Sequence, residues 1–108
     1  MNIAIDTKDG AKLLKASGEI VLITPKDGKE FSLPEMQKYV GGYIEVLNPP
    51  GCPGSYMIVN EEGKFQQPPF AKNQLASDLW QAGCDPDSDR ASDDVVGDVM
   101  LIQKGQIS

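Results

Sequence analysis

Two short polar segments and two single residues of this 108-residue chain carry groups that could hold a ligand. The first is Gly41-Gly42 followed by Tyr43, which offers backbone N–H groups for a phosphate and a ring for stacking on a base. The second is Asn60-Glu61, whose side-chain oxygens can accept hydrogen bonds from amino or hydroxyl groups. Lys64 could neutralise a phosphate, and Asn73 could add a further polar group or cap a helix. This set predicts ligand binding without catalysis.

Catalysis is disfavoured because the sequence contains no histidine. Histidine is the commonest general base and metal ligand, and nucleophilic Ser-His and Cys-His pairs require it. An enzyme would have to use Glu45, Glu61 or Asp98 as its base. Cys52 and Cys84 alone do not make a zinc site. We therefore expect neither a catalytic residue nor a cofactor or metal.

The segment Asp85-Pro86-Asp87-Ser88-Asp89 spaces three carboxylates as a calcium loop does. In that register, however, the sixth position should be glycine and the twelfth glutamate, and here they are Arg90 and Val96. The sharp turn and the bidentate ligand are both missing. The sequence predicts a solvated acidic loop from Asp85 to Asp94.

The charge balance narrows the choice of partners. The chain has 16 Asp and Glu against 10 Lys and Arg, so its net charge is 10 − 16 = −6. An acidic surface repels phosphate backbones, so direct binding of nucleic acid is not expected, whereas a basic protein surface would be attracted. No apolar stretch has the length of a membrane span or the pattern of a signal peptide. We expect a cytoplasmic protein with Cys52 and Cys84 as thiols.

The best-specified element that would position these residues is a helix opening at Ser32-Leu33-Pro34-Glu35. Ser32 and Glu35 have the spacing of a capping box, and Pro34 lies in the first turn, where its missing N–H has no cost. Gly41 fits the left-handed position after the last helical residue. The predicted buried face is formed by Leu33, Met36, Tyr39 and Val40.

The remaining pattern predicts strands, a second helix and turns. Residues 43–47 and 55–59 should pair as a hairpin, 18–24 should be a buried strand, and 95–102 should be the central strand. Ile3 and Ile5 give a weak strand signal, and Lys64-Phe65 should form another short strand. The other expectations are a short helix or a hairpin loop in 7–16, a turn at 60–63 with Gly63 at positive φ, and a helix over 73–82 with Leu75, Leu79 and Trp80 inward.

Together these elements predict an α+β fold. The expected architecture is a small, mostly antiparallel sheet of about four to five strands with two helices packed on one face. The chain should form a single domain over residues 1–108, with 1–17 as an N-terminal extension and 18–108 as the core.

Four motifs in fixed order resemble the small uncharacterised family called domain of unknown function 3846, found in phages and mobile elements. They are Val40-Gly41-Gly42-Tyr43-Ile44-Glu45, Val59-Asn60-Glu61-Glu62-Gly63-Lys64, Pro68-Pro69 with Asn73, and Val96-Gly97-Asp98-Val99. The resemblance extends from Val21 to Ile102. The family name carries no activity, so the resemblance implies a genetic context and no chemistry.

That context suggests two functions by analogy. The first is a non-enzymatic phage-type ligand-binding protein, a homo-oligomer that sequesters a nucleotide-derived immune signal as an anti-defence sponge. The alternative is an acidic protein-binding inhibitor or DNA mimic that blocks a host protein, using Glu61-Glu62 and residues 85–94.

Overall fold

The computed structural model describes residues 5–107, so part of the weak strand signal, at Ile3, lies outside the described residues. Within these described residues, three single-turn 3₁₀ helices accompany seven regular elements. The strands are β1 (Ala11–Leu14), β2 (Ile20–Ile23), β3 (Ile44–Leu47), β4 (Ser55–Asn60) and β5 (Val99–Gln103), and the helices are α1 (Leu33–Val40) and α2 (Gln74–Gln81).

The five strands form one sheet in the order β2-β1-β5-β4-β3, and every neighbouring pair is antiparallel. The predicted α+β class with a small antiparallel sheet and two helices is therefore confirmed. The predicted β3–β4 hairpin also forms, with Ile44 opposite Asn60 and Leu47 opposite Met57. The last strand, β5, is central as its apolar sequence predicted, because a strand covered on both faces needs no polar side.

The two helices lie on opposite faces of the sheet, so the expectation that they share one face was wrong. Val99 and Leu101 of β5 belong to the core cluster that contains Leu79 of α2. Met100 and Ile102 belong to the cluster that contains α1 residues. Successive strand side chains point to opposite faces, so the apolar run of β5 is buried on both faces, with one helix on each.

Helix α1 forms as its local signals predicted. Ser32 Oγ accepts a hydrogen bond from Glu35 N–H, and the Glu35 carboxylate accepts one from Ser32 N–H at 3.1 Å. Gly41 ends the helix in the left-handed region at φ 83°. Met36 and Val40 are buried, but Leu33 is 50 % exposed, so the predicted buried face does not include the first residue of the helix.

Strand β2 is not buried, contrary to its β-branched sequence. It lies at the end of the sheet, and Leu22 is 63 % exposed. Between Thr7 and Ala16 the structure has a turn, closed by a Gly10 N–H to Thr7 carbonyl bond, and then β1; the alternative of a helix there was wrong. Strand β1 lies between β2 and β5, so the predicted N-terminal extension, residues 1–17, contributes a strand to the sheet.

The turn after β4 also differs from expectation. Lys64 and Phe65 lie in a 3₁₀ helix, not a strand. Gly63 is absent from the glycines that have positive φ. A Cβ atom at Gly63 would lie 3.0 Å from Val96 Cγ2 and 3.2 Å from Phe70 Cδ2, so the glycine is explained by close packing.

Candidate functional site

A cleft of about 350 Å³ opens on the α2 side of the sheet, between the β3–β4 hairpin and α2. We call it the acidic cleft. Its lining comes from the hairpin (Glu45, Leu47, Val59), the following turn (Asn60, Glu61, Lys64, Phe65), α2 (Trp80) and the segment before β5 (Asp93, Asp94, Val95, Val96).

Strand alternation explains why the floor of the cleft has this composition. Glu45 lies opposite Val59 in the hairpin register, and Leu47 lies opposite Met57. Val59 and Met57 face the core beneath α2, so Glu45 and Leu47 are on that same face. The hairpin thus supplies an apolar floor with one carboxylate near its open edge.

The opposite wall is fixed by α2. Ser77 is fully buried, and its hydroxyl oxygen both accepts from Val95 N–H at 2.9 Å and donates to the Val95 carbonyl at 3.2 Å. This pair of bonds holds the segment that contains Asp93 and Asp94 against the helix. Trp80, one turn further along α2, donates from Nε1 to Asp93 Oδ2 at 3.3 Å.

The cleft is lined by more negatively charged than positively charged side chains. Its lining contains four carboxylates, Glu45, Glu61, Asp93 and Asp94, and one ammonium group, Lys64, which pairs with Asp93. Lys72 reaches Asp94 from outside the lining at 3.5 Å. Among residues 5–107, neither Glu45 nor Glu61 forms a salt bridge. The cleft therefore has a surplus of negative charge and unpaired acceptors for a cationic group.

Asn60, Glu61 and Lys64 are the predicted site residues that the structure brings together in this cleft. Asn60 is 7 % exposed and has a structural role, because its Nδ2 donates to the Val40 carbonyl and its Oδ1 accepts from Glu62 N–H. Tyr43 lies beside this group without lining the cleft. Its carbonyl accepts from Glu61 N–H at 2.9 Å, and its side chain is 67 % exposed.

Gly41 and Gly42 end α1 and lie outside the acidic cleft. Their N–H groups both donate to the Gln37 carbonyl, at 2.8 Å and 3.1 Å, so the expected phosphate cradle does not form in this conformation. Gly42 is also required for packing, because a Cβ atom there would lie 2.9 Å from Asn60 Nδ2. Gly41 borders a second hollow of about 350 Å³ that includes Lys38.

Asn73 takes the capping role that the sequence had left open. It is fully buried, and its Oδ1 accepts from Ala76 N–H at 3.0 Å at the start of α2. Its Nδ2 donates to the carbonyls of Leu14 and Gly97, both at 2.8 Å. The amide nitrogen and oxygen of Asn73 are thus hydrogen-bonded within the protein, and the side chain does not line the acidic cleft.

The sequence predicted Asp93 and Asp94 to lie in a solvated loop, and only the alternative function, a protein-binding inhibitor, used them as binding residues. No predicted feature of α2 marked Ser77, whose hydroxyl group holds this segment against the helix. Of the described residues, no three histidine, cysteine, aspartate or glutamate side chains group closely enough to hold a metal ion. In the loop itself, Asp85 Oδ1 accepts from Asp87 N–H. Cys52 is a buried thiol, and Cys84 is a half-buried one.

The geometry defines a small α+β domain with an acidic, aromatic-walled cleft at one side of an antiparallel sheet. The family described as Domain of unknown function (DUF3846) matches residues 16–106, and the chain belongs to that family. Comparisons with curated proteins and with solved structures gave no match. Within the part of the chain that is described, no helix is long and apolar enough to cross a membrane.

Proposed function

We propose that this chain is a non-enzymatic binding protein whose acidic cleft and adjoining β3 edge take an extended, basic segment of a partner protein. The phage origin and anti-defence role suggested by the resemblance stay predictions, as does the cytoplasmic location expected from the sequence. In that setting the partner would be a host protein that the chain blocks, which was the alternative function expected from the sequence.

The observation that carries the proposal is the concentration of charge. Residues 61–98 contain nine Asp and Glu and three Lys and Arg, giving 3 − 9 = −6, which equals the net charge of the whole chain. The rest of the sequence is neutral in sum. Glu61, Asp93 and Asp94 bring part of this charge into the cleft. A negative charge concentrated in one part of the chain steers a partner of opposite charge towards it and favours that partner over others.

The backbone of β3 supports an extended partner. Glu61 N–H donates to the Tyr43 carbonyl, so this is a hydrogen-bonded pair of the hairpin. Pairs alternate along an antiparallel ladder, so the backbone groups of Ile44 and Val46 point away from β4, towards the open edge. Strand β3 ends the sheet order in the described chain. A partner strand could therefore add to it through main-chain hydrogen bonds.

Side chains at this edge favour a basic partner strand. A residue opposite Glu45 on an added strand would lie on the same face of the sheet, close to the carboxylate and to the mouth of the acidic cleft. Phe65 lines the cleft and is 79 % exposed, so its ring is available to a guanidinium or ammonium group. Exposed aromatic side chains are also common anchors at protein interfaces.

The test uses synthetic peptides with alternating arginines, titrated against ¹⁵N-labelled protein. The expected result is chemical-shift change at Ile44, Val46 and Glu61, with affinity that falls as salt rises. N-methylation of the peptide groups that face Ile44 and Val46 should abolish binding, whereas N-methylation on the peptide's outer edge should not. Equal binding of both methylated peptides would contradict strand addition.

Charge variants provide the second arm of that test. Glu45→Gln with Glu61→Gln should weaken peptide binding, whereas the matched pair Glu19→Gln with Glu30→Gln, outside the cleft, should leave it unchanged. If both pairs weaken binding equally, net charge alone attracts the peptide and the cleft is not the site.

A nucleotide-derived ligand is the second candidate. It is supported by Trp80, which could stack on a base, and by Lys64, which could meet a phosphate. The four carboxylates of the lining oppose a phosphate, so we place this candidate second. Titration with a panel of linear and cyclic nucleotides separates the two candidates. Shifts at Trp80 with nucleotides and none with basic peptides would favour nucleotide binding.

A further inference from the structure

The other edge of the sheet, β2, has an unusual surface. Ile20 is 41 % exposed and Leu22 is 63 % exposed. In the β1–β2 register, Ile20 lies opposite Leu14, which belongs to the core beneath α2. Ile20 and Leu22 therefore share the α2 side of the sheet, where together they form an exposed apolar pair at the sheet's margin.

The backbone of β2 is also open at these two residues. Lys15 N–H donates to the Glu19 carbonyl at 2.8 Å, which makes this a hydrogen-bonded pair. By the alternation of an antiparallel ladder, the N–H and C=O groups of Ile20 and Leu22 point away from β1. No other strand of the described chain pairs with β2 on that side.

Apart from its short length of four residues, strand β2 lacks the features that protect natural sheet edges. Its sequence is Ile-Val-Leu-Ile, with no charged residue and no proline. Edge strands in monomeric proteins usually carry an inward charge, a lysine, a proline or a bulge, because open apolar edges pair with other chains. The opposite edge strand, β3, does contain a charge, Glu45. The contrast indicates that β2 is normally covered.

We propose that a second copy of this chain covers it, through antiparallel pairing of the two β2 strands about a two-fold axis at Val21. In this register Ile20 lies opposite Leu22 of the partner subunit, and both form hydrogen-bonded pairs through their outward backbone groups. Each exposed apolar side chain then meets its complement on the same face. The result is a continuous ten-stranded antiparallel sheet, twice the five strands of one chain.

Charge favours a second copy at β2 over pairing at β3. Two β3 edges would bring two copies of Glu45 and of the acidic cleft together, and like charges facing each other are destabilising. Strands β2 and β3 are opposite ends of the sheet, so pairing through β2 keeps the acidic clefts far apart. It also leaves both clefts accessible. This proposal does not depend on what the cleft binds.

The test is the molar mass in solution, measured by sedimentation or light scattering across a concentration series. We expect the wild-type chain to approach twice the mass of one chain, and Leu22→Lys or Ile20→Lys to return it to a single chain. Val46→Lys is the matched control, because Val46 is also 41 % exposed on an edge strand, and its mass should follow the wild type. Circular dichroism confirms that each variant is folded.

Hydrogen exchange supplies an independent readout. The amides of Ile20 and Leu22 should gain protection as the protein concentration rises, while those of Ile44 and Val46 should not. A wild-type mass of one chain at every concentration would overturn the proposal. So would a dimer that survives both lysine substitutions, or one in which Val46→Lys alone restores the single chain.

Discussion

Asn73 and Leu14 are 59 positions apart, yet Asn73 Nδ2 donates a 2.8 Å hydrogen bond to the Leu14 carbonyl. The same amide donates to the Gly97 carbonyl, just before β5, while its oxygen caps α2. One buried side chain thus connects the end of β1, the start of β5 and the first turn of a helix. We conclude that Asn73 fixes where α2 sits on the sheet.

Replacement of Asn73 should therefore be costly. Asn73→Ala removes a helix cap and leaves two buried carbonyls without their donor, so we expect a loss of about 3 kcal/mol in the free energy of unfolding. Asn73→Asp keeps the cap but cannot donate, and should also destabilise strongly. Urea denaturation measures both. Asn48→Asp, at an exposed asparagine, is the control and should change stability little.

Alanine substitutions at Gly97 and Gly28 separate the cost of a steric clash from the cost of backbone strain. It has φ 79°, and a Cβ atom there would lie 2.8 Å from Phe70 Cδ2. Gly28 has a similar φ of 80° with no atom within 4 Å of such a Cβ. Gly28→Ala should cost roughly 1–2 kcal/mol from strain alone. Gly97→Ala should cost about 1–3 kcal/mol more, because Phe70 must move.

The difference between the two glycine variants, measured by urea denaturation, reports the clash with Phe70. Adding Phe70→Leu to Gly97→Ala should recover part of the extra loss, since the smaller side chain makes room for the new methyl group. Equal destabilisation by the two alanine variants would show that Phe70 adjusts at no cost.

Local signals in the sequence were enough to predict α1. The capping box of Ser32 and Glu35, the early proline and the terminal Gly41 all act within one short segment. The class of the sheet and its central strand were also predictable from alternation and from the apolar run of β5. The similar apolar run of β2 predicted burial wrongly, because β2 lies at the edge of the sheet. What could not be predicted was which face each helix covers, because that depends on long-range contacts.

In the candidate site, too, the sequence predicted only the groups that are neighbours along the chain. The turn after β4 was predicted to present Asn60 and Glu61 together because they are adjacent in the sequence. The opposite wall was not predicted, because Lys64 and Asp93 are 29 positions apart and come together only through the tertiary fold. Gly41 and Gly42 resembled an anion-binding pair in sequence. Helix termination, which the local pattern at Gly41 also predicted, uses both of their N–H groups.

Lys64 offers a prediction that separates the two candidate functions. Its ammonium group pairs with Asp93 in an exposed position, 49 % for the lysine and 48 % for the aspartate side chain. Lys64→Ala should therefore change stability by less than about 1 kcal/mol. It also removes the cation that competes with a basic guest, so peptide affinity should rise by about fivefold, equivalent to about 1 kcal/mol.

If the guest is a phosphate-bearing nucleotide, Lys64→Ala should instead weaken binding, because it removes the attractive charge. Trp80 is the only tryptophan in the chain, so its fluorescence reports both titrations. Lys29→Ala removes the same charge outside the cleft and serves as the control. An unchanged affinity for both guests would exclude Lys64 from the site.

Glu35 predicts a pH dependence of stability. Hydrogen bonds from Ser32 N–H and Lys26 N–H hold the pKa of the Glu35 carboxyl below its ordinary value of 4.5. Because the folded pKa is depressed, this contribution to stability is complete above the unfolded value and is lost as pH falls through the folded one. Glu35→Gln keeps the capping-box geometry and removes the titration.

Unfolding experiments from neutral pH down through the range below 4.5 should therefore show a shallower loss of stability for Glu35→Gln than for the wild type. Glu19→Gln is the control, since Glu19 lies outside the capping box and pairs only with Lys15 in a surface bridge at 3.7 Å. It should follow the wild-type profile closely. Parallel profiles for wild type and Glu35→Gln would mean that the charged form of Glu35 gains nothing from the N–H donors of Ser32 and Lys26.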